Sequence, residues 1–258
     1  MARPWRGGPA TLGDEAETPA SLRDEEAGVE ADEVVRELEA AGVHFDANPV
    51  RALFAQFIAR VRSVGEQMNL VSTADRTRIG RRHLLESFNV LSCPVEWGTG
   101  PLCDAGSGAG FPGLPLAMLL PELKVVLVES VGKKARFLAE TVATLGLAQR
   151  VSILPERVED IAQRAPWREM FPIVTARGLG PLDRALPWCA PLLSEGGHLI
   201  AFKGSQVDAE LAAAAHAMQA AQLDLRDLIP MRWGEGALVV FRKRGSIRLP
   251  ADASGPTG

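Results

Sequence analysis

The sequence has few cysteines and no long apolar run, and both absences narrow the class of protein. Its three cysteines, Cys93, Cys103 and Cys189, are odd in number and scattered along 258 residues. This pattern fits neither a disulfide framework nor a zinc site and predicts buried, reduced thiols. No stretch approaches the roughly 18–20 uncharged apolar residues of a membrane span, and the N-terminus lacks the apolar core of a secretory signal. We therefore expect a cytoplasmic protein with no membrane association and no bound metal.

Acidic and basic side chains are divided unevenly along the chain. The formal net charge is −4, which on its own argues against a nucleic-acid partner. Residues 1–45 hold 11 acidic and 4 basic side chains, whereas residues 46–258 hold 21 acidic and 24 basic ones. Most of the acidity thus belongs to an N-terminal arm, and the rest of the chain is mildly basic.

Composition and periodicity divide the chain into four parts. Residues 1–30 are rich in Gly, Pro, Ala and acids and are predicted to be a disordered arm. Residues 31–94 are predicted to form a small helical domain, with a short helix at 34–41 and an amphipathic one with apolar residues at 50, 53, 54, 57, 58 and 61. Residues 95–245 form the main domain, and residues 246–258 are predicted to be a disordered tail.

Short apolar runs alternate with helical segments throughout the main domain. Five of them read PLCDAG, KVVLVES, RVSILP, FPIVTAR and GHLIAFKG. Continuous hydrophobicity indicates strands covered on both faces, and the intervening helices indicate parallel crossovers. Two further runs, at 223–230 and 237–243, are separated only by MRWGEG, which favours an antiparallel pair. We predict an α/β fold with a mostly parallel sheet.

The first predicted strand runs into the glycine-rich stretch DAGSGAGFPG. Glycine within a regular element costs about 0.5–1 kcal/mol relative to alanine, so this density indicates a tight turn or a close ligand. Two ligands are open at this point. Residues 108–113 satisfy the dinucleotide pattern G-x-G-x-x-G, whereas Asp104-x-Gly106-x-Gly108-x-Gly110 is similar to the loop of S-adenosylmethionine (SAM) methyltransferases.

Glu129 ends the second predicted strand, about twenty residues after the loop. A carboxylate at this place accepts hydrogen bonds from both ribose hydroxyls of a nucleotide. NAD and SAM both contain such a ribose, so Glu129 does not decide between them. The antiparallel pair at the end of the chain favours a methyltransferase, because that sheet resembles the seven-stranded methyltransferase form.

Several motifs together resemble one family. DAGSGAGFPGLPLAMLLPE, LVESVGKKARFL, ERVED, TARGLGPL and FKG occur in an order similar to that of the bacterial 16S ribosomal RNA guanine-N7 methyltransferases, the glucose-inhibited division protein B type. The resemblance covers roughly residues 50–243. It implies a Rossmann-like methyltransferase fold with an N-terminal helical extension, SAM as cofactor, and 16S ribosomal RNA or the small ribosomal subunit as the partner of a monomeric enzyme.

The resemblance also implies site residues, which add to Gly108 and Glu129 from the loop pattern. The residues implied to line the SAM site are Gly106, Phe111, Val158, Glu159 and Arg177. Gly106 permits close approach of the methionine part, and Phe111 offers an apolar wall. The chain departs from the family at VGEQMNL, at Glu86, where the family often has Asp, and at Gly178-Leu179-Gly180.

Basic residues supply the candidates for RNA contact. Arg78, Arg81 and Arg82 belong to the densest basic cluster of the helical part, and Lys203 ends the fifth strand. A second basic cluster spans residues 242–244. His83 is an RNA contact or a helix-packing residue. Because the arginines and the SAM motifs lie on different segments, we expect substitutions in the two sets to have separate effects.

Guanine N7 carries a free lone pair, so the resemblance requires alignment of the reactants and no general base; no catalytic residue is assigned. Two other functions are compatible with the residues. One is an NAD(P)-dependent Rossmann oxidoreductase. The other is a non-catalytic RNA-binding factor of ribosome assembly that has kept the fold.

Overall fold

The computed structural model describes residues 20–245, with side chains described for residues 24–65 and 68–245. The predicted tail and most of the predicted N-terminal arm lie outside this range. Residues 20–30, which we predicted to be disordered, are helical, since the first helix, α1, spans Ala20–Ala40. Ala27, Ala31, Val34 and Leu38 recur at helical spacing and are at most 1% exposed.

The helical segment ahead of the sheet consists of two long helices followed by short turns. The second helix, α2, spans Ala47–Met68, as its apolar periodicity predicts, and packs against α1. A 3₁₀ turn at Thr73–Asp75, a π turn at Gly80–Leu84, the short helix α3 at Leu85–Ser87 and a 3₁₀ turn at Phe88–Ser92 lead to the sheet. This segment therefore winds across the molecule before the first strand begins.

Seven strands form one sheet. They are β1 (Leu102–Ala105), β2 (Val125–Val128), β3 (Val151–Leu154), β4 (Phe171–Arg177), β5 (Leu193–Lys203), β6 (Leu223–Pro230) and β7 (Ala237–Lys243). The helices between them are α4 (Gly113–Leu119), α5 (Gly132–Thr144), α6 (Val158–Ile161), α7 (Leu182–Cys189), α8 (Val207–Ala213) and α9 (Ala215–Ala220), with a 3₁₀ turn at Ala190–Leu192.

The strand order is β3-β2-β1-β4-β5-β7-β6, with β1 to β5 parallel and β7 antiparallel to both neighbours. This confirms the predicted mostly parallel seven-stranded sheet. β1, β2 and β3 are added towards one side of the sheet and β4 and β5 towards the other, so the strand order switches between β1 and β4 and a crevice is expected outside the carboxyl ends of these two strands. The loop after β1, residues 106–112, occupies that place.

Each face of the sheet has its own apolar core. One face carries Leu102, Ile173 and Ile200 and is covered by α4, α5 and the N-terminal helices in one continuous cluster. The other face carries Cys103, Val174 and Leu199 and is covered by α6, α7 and the α8–α9 pair. The helical segment that we predicted to be a separate domain at 31–94 thus shares its core with the sheet. Within the described residues, no helix is long and apolar enough to cross a membrane.

Candidate active site

The loop after β1 has a backbone that requires glycine at three positions. The φ angle is +73° at Gly106, +57° at Gly108 and +101° at Gly110, a region in which side-chain-bearing residues are strained. The amides of Gly106 and Ser107 both donate to the Val128 carbonyl at 2.9 Å, which ties the loop to the end of β2. A Cβ added at Gly108 would have no neighbour closer than 4.0 Å among the described residues. The loop therefore offers an accessible backbone at the sheet edge.

Asp104 fixes both ends of this loop. Its Oδ2 accepts the Gly113 amide proton at 3.1 Å, at the start of α4, and its Oδ1 accepts the Thr175 hydroxyl proton at 2.9 Å, from β4. The Ser107 hydroxyl donates to the Asp104 backbone carbonyl at 2.8 Å. The side chain is fully buried, and burial raises its pKa to about 6. Asp104 therefore clasps strand, loop and helix together.

Glu129 lies beside the loop with its carboxylate orientation determined by two backbone amides. Oε2 accepts from the Gly108 N–H at 2.9 Å, and Oε1 accepts from the Val131 N–H at 2.7 Å. The residue is 6% exposed. A carboxylate oxygen has two lone pairs, so each oxygen retains one for a ligand hydroxyl. The predicted ribose acceptor is thus held next to the glycine loop.

Val158 and Glu159 follow β3 and open the short helix α6. Val158 is buried, and the Glu159 carboxylate lies 3.5 Å from the Arg157 guanidinium. Because the carboxyl ends of parallel strands meet at one edge, these residues lie next along the edge from Glu129. The ends of three adjacent strands therefore present the glycine loop, the Glu129 carboxylate and a second acid in spatial order.

Phe111 lies in the core between the loop and the helical segment. Its ring centroid is 5.2 Å from that of Phe57 and 5.1 Å from that of His83, with the imidazole stacked at 29°. Phe111 is 6% exposed. The ring thus anchors the glycine loop to the helical segment, and His83 packs inside the protein. We had predicted an apolar wall for the ligand at this position.

Arg177 ends β4 on the face covered by the helical segment. Its guanidinium forms an ion pair with Glu86, whose side chain is 4% exposed and also pairs with Arg82. The glycine-loop edge and the arginine cluster therefore share one carboxylate. The expectation that substitutions in the two sets have separate effects stays a prediction, and Glu86 is the residue through which they could be linked.

The predicted RNA contacts differ in how free they are. The Arg78 and Arg81 side chains are 61% and 68% exposed, with Asp75 and Glu33 as their acidic neighbours. Arg82 is 40% exposed and engaged with Glu86. Exposed pairs of this kind contribute little stability and exchange readily with other anions. Arg78 and Arg81 are thus the more available of the three.

Lys203 is enclosed on the opposite face of the sheet from Arg177. Its ammonium group donates to the Gly180 carbonyl at 2.6 Å and lies 2.7 Å from the Glu210 carboxylate, and the side chain is 10% exposed. Glu210 also accepts the Leu182 amide proton at 3.2 Å. Lys203 thus fastens the loop after β4 to α8.

The second basic cluster, residues 242–244, lies away from the carboxyl ends of the parallel strands, where the glycine loop is. Because β7 is antiparallel to β5, Arg242 pairs with His198 in the middle of β5, whereas Ala237 pairs with Lys203 at its carboxyl end. Lys243 contacts Glu169 at 3.0 Å, and Arg244 contacts Asp224 at 2.7 Å. Residues 242–244 are therefore remote from the glycine loop.

Two residues near the site had no predicted role. Leu179 packs over the loop, since a Cβ added at Gly106 would lie 2.7 Å from its Cδ1. Asn89 holds the turn between β6 and β7: its Oδ1 accepts from the amides of Arg232 and Trp233, and its Nδ2 donates to the Trp233 carbonyl at 2.8 Å. In the sequence, the only sign of a role for Asn89 was its position between the apolar residues Phe88 and Val90.

The cysteines and the possible metal ligands among the described residues do not form a second candidate site. All three cysteines are buried and free, and burial raises the pKa of Cys93 and of Cys189 to about 12, so their thiols stay protonated. Among the described residues there is no group of three or more His, Cys, Asp or Glu side chains suited to a metal ion.

Comparison with known proteins identifies relatives. The profile of a family described as GidB, rRNA small subunit methyltransferase G, matches residues 51–231. The ribosomal RNA small subunit methyltransferase G of Roseiflexus castenholzii is 42% identical over 182 residues, covering 70% of this chain and 76% of that protein. The same-named protein of Sorangium cellulosum is 40% identical over 179 residues, covering 69% and 74%.

Solved structures agree in fold. A Corynebacterium glutamicum protein superposes with a TM-score of 0.50 at 18% identity, over 75% of this chain and 92% of that one. At that identity the likeness concerns the fold alone.

Proposed function

Because the chain belongs to the family of rRNA small subunit methyltransferase G, we propose that it is a SAM-dependent enzyme that methylates N7 of a guanine in 16S ribosomal RNA. One structural observation supports the proposal beyond family membership. The glycine loop lies at the carboxyl end of β1, where the strand order switches, and its Gly108 amide donates a hydrogen bond to the Glu129 carboxylate. Family membership confirms the resemblance that the motifs indicated. It does not favour an NAD(P) oxidoreductase or a non-catalytic assembly factor.

The residues of the edge suit SAM. The open backbone at Gly108 allows a ligand to approach the loop without meeting a Cβ, and the Leu179 side chain lies over Gly106. Glu129 has one lone pair on each oxygen for a ribose hydroxyl. We assign the cofactor contacts to Gly106, Gly108 and Glu129, with Val158 and Glu159 at the adenine end. The bound cofactor supplies a methyl group on a sulfonium.

The chain's own task in this reaction is alignment. Guanine N7 has a lone pair in the plane of the ring, so no residue has to remove a proton before attack. Holding the base in line with the methyl group converts a bimolecular encounter into an effectively unimolecular step. Arg177, held at the end of β4 with its guanidinium carbon 5.8 Å from the ring centroid of the loop residue Phe111, is assigned a positioning role toward the cofactor.

The RNA contacts that we propose are Arg78 and Arg81, in the helical segment that packs on the glycine-loop face. Arg82 and Lys203, which the sequence also suggested, are engaged with Glu86 and Glu210 and drop out of the proposal. The partner is 16S ribosomal RNA within the small subunit, and the enzyme acts as a monomer in the cytoplasm, where ribosomes are assembled.

Transfer of labelled methyl groups tests the reaction. Wild-type protein, labelled SAM and small subunits lacking the modification should yield labelled 16S RNA, and reduction followed by aniline cleavage should map the label to a single N7-methylguanine. Fully modified subunits are the matched control and should take up no label. A protein that binds SAM and subunits without transfer would be an assembly factor, and one that binds NAD in place of SAM would be an oxidoreductase.

Salt dependence tests the RNA surface. The double variant Arg78→Gln, Arg81→Gln should bind RNA more weakly and should reduce the slope of log affinity against log salt by about 1.4, from roughly 0.7 per lost phosphate contact. The matched control is Arg242→Gln, Arg244→Gln, which removes the same charge at the opposite edge of the sheet. Equal slopes for the wild type and the first variant would contradict the assignment.

A further inference from the structure

Arg177 is held almost entirely by a segment that lies over 90 residues earlier in the chain. Its guanidinium donates to the Arg82 carbonyl at 3.3 Å and to the His83 carbonyl at 3.5 Å, and it lies 2.9 Å from His83 Nδ1. The ion pair with Glu86 completes the set. The Phe111 and Phe202 ring centroids each lie 5.8 Å from the guanidinium carbon. The side chain at the cofactor edge is therefore oriented by the helical segment.

His83 contributes a neutral acceptor to this cluster. Arginine only donates hydrogen bonds, so His83 Nδ1 must accept from Arg177 and the ring proton must reside on Nε2. Burial and the adjacent Arg177 lower the pKa of His83 to about 3, which keeps the ring neutral. The imidazole thus adds no charge to the cluster.

Glu86 supplies the negative charge that faces both arginines. Its carboxylate is shared between Arg82 and Arg177, and it is nearly inaccessible to solvent. Burial raises the pKa of Glu86, and the two guanidinium groups oppose that shift. The other acid of the cluster, Asp75, lies 3.8 Å from His83 Nε2 and 3.9 Å from Arg82. Of these acids, Glu86 is the one in direct contact with Arg177.

The backbone beyond Arg177 does little to orient it. Gly178 and Gly180 have φ angles of +69° and +109°, and a Cβ at either residue would meet nothing within 4 Å. A long side chain at the start of such a loop loses much rotamer freedom when it is ordered. Prior ordering by a partner removes that cost from ligand binding.

We propose that Glu86 is a positioning residue that orients Arg177 toward the cofactor and thereby couples the docked helical segment to the SAM site. The inference rests on the proposed function, because the contact of Arg177 with SAM is part of it. A purely structural Glu86 would affect the stability of the protein without acting through Arg177, and the two roles differ in measurable ways.

A double-mutant cycle on SAM affinity, measured by calorimetry without RNA, tests the inference. Glu86→Gln should weaken SAM binding about tenfold, and Arg177→Gln should weaken it at least as much. The variant carrying both substitutions should be no weaker than Arg177→Gln alone, since Glu86 acts through that residue. Arg82→Gln, the matched control, removes the other partner of Glu86 and should leave SAM affinity within twofold.

Steady-state kinetics and a second variant keep the test decisive. Glu86→Gln should raise KM for SAM about tenfold and leave kcat within twofold. Glu86→Gln leaves Arg82 and Arg177 without their shared carboxylate and could fail to fold for that reason. In that case the double variant Glu86→Gln, Arg82→Gln, which removes one of these two cations, should show the same loss of SAM affinity. Unchanged SAM affinity in a folded Glu86 variant, additive losses in the cycle, or unchanged affinity in Arg177→Gln would overturn the proposal. Absence of methyl transfer by a wild-type protein that binds SAM would refute the proposed function and leave this cycle readable.

Discussion

Replacing Glu129 by glutamine tests the cofactor site at the residue whose surroundings are best determined. Its two carboxylate oxygens accept the amide protons of Gly108 and Val131 at 2.9 and 2.7 Å. Glutamine has the same shape, but its amide nitrogen would place a donor against one of these backbone donors. The variant therefore loses the negative charge, one hydrogen bond to the protein and one acceptor for the ribose.

The size of the effect follows from the bonds that are lost. Hydrogen bonds to a charged group contribute about 1.5–3 kcal/mol, and competition from water extends the expected loss down to about 1 kcal/mol. We expect SAM binding to weaken by about 1–3 kcal/mol, which corresponds to about 5- to 150-fold in Kd. Glu129→Ala, which removes both acceptor atoms, should lie at the upper end.

Calorimetric titration with SAM and with methylthioadenosine measures this loss. Both ligands contain the same ribose, so both should weaken by the same factor, whereas disturbance of the methionine subsite would affect SAM alone. The matched control is Glu122→Gln, which neutralises an exposed acid between α4 and β2 at the opposite edge of the sheet. A Kd within twofold of the wild type, in a variant that unfolds at the wild-type temperature, would refute ribose binding by Glu129.

Three further predictions concern the frame of the site. Burial raises the pKa of Asp104 to about 6, so between about pH 4 and 6 the folded protein holds a proton that the unfolded chain has lost. The free energy of unfolding of the wild type relative to Asp104→Asn should therefore fall by about 3 kcal/mol as pH rises from about 4 to 6. A difference that does not change with pH in urea titrations would contradict this. Gly106→Ala and Gly146→Ala both place alanine at positive φ, at +73° and +68°, which should destabilise each variant by about 1–2 kcal/mol. Gly106→Ala should lose more stability, because its Cβ would also lie 2.7 Å from Leu179 Cδ1, whereas a Cβ at Gly146 meets nothing within 4 Å. Only Gly106→Ala should impair SAM binding, and equal SAM affinities would disprove the assignment of Gly106. Asn89→Ala removes three part-buried hydrogen bonds to the backbone of Arg232 and Trp233 and should lower the free energy of unfolding by about 2–3 kcal/mol, whereas a loss below about 1 kcal/mol would show that water replaces the side chain.

The strands and their mostly parallel arrangement were predictable because the parallel strands are short apolar runs, each followed by a helix or a turn. The loop was predictable because three residues with positive φ leave a visible series of glycines. The start of α1 was not predicted, because its buried stripe begins with Ala27 and Ala31 in an acidic surrounding and contains no large side chain until Val34. Small residues at helical spacing indicated the helix, but the acidic, Gly- and Ala-rich composition of residues 1–30 favoured the prediction of disorder.

The site was predictable as a set of residues but less so as a set of contacts. Glu129 lies where its distance from the loop suggested, since one short helix, one turn and one strand separate them. Whether Phe111 faces a ligand or the core depends on the helical segment above it, and its contact with Phe57 is invisible in the local sequence. Lys203 and Arg82 looked like free cations because their partners, Glu210 and Glu86, are recognisable only after folding.

The helical segment and the cofactor edge are therefore one unit. Phe57 and His83 pack on the loop residue Phe111, and Glu86 holds Arg177. An RNA that moves the segment carrying Arg78 and Arg81 must also move the side chains that orient the cofactor edge. Binding free energies are linked reciprocally, so any effect of RNA on SAM affinity equals the effect of SAM on RNA affinity. Under the proposal that Glu86 orients Arg177, its carboxylate is the contact through which the helical segment would affect SAM binding.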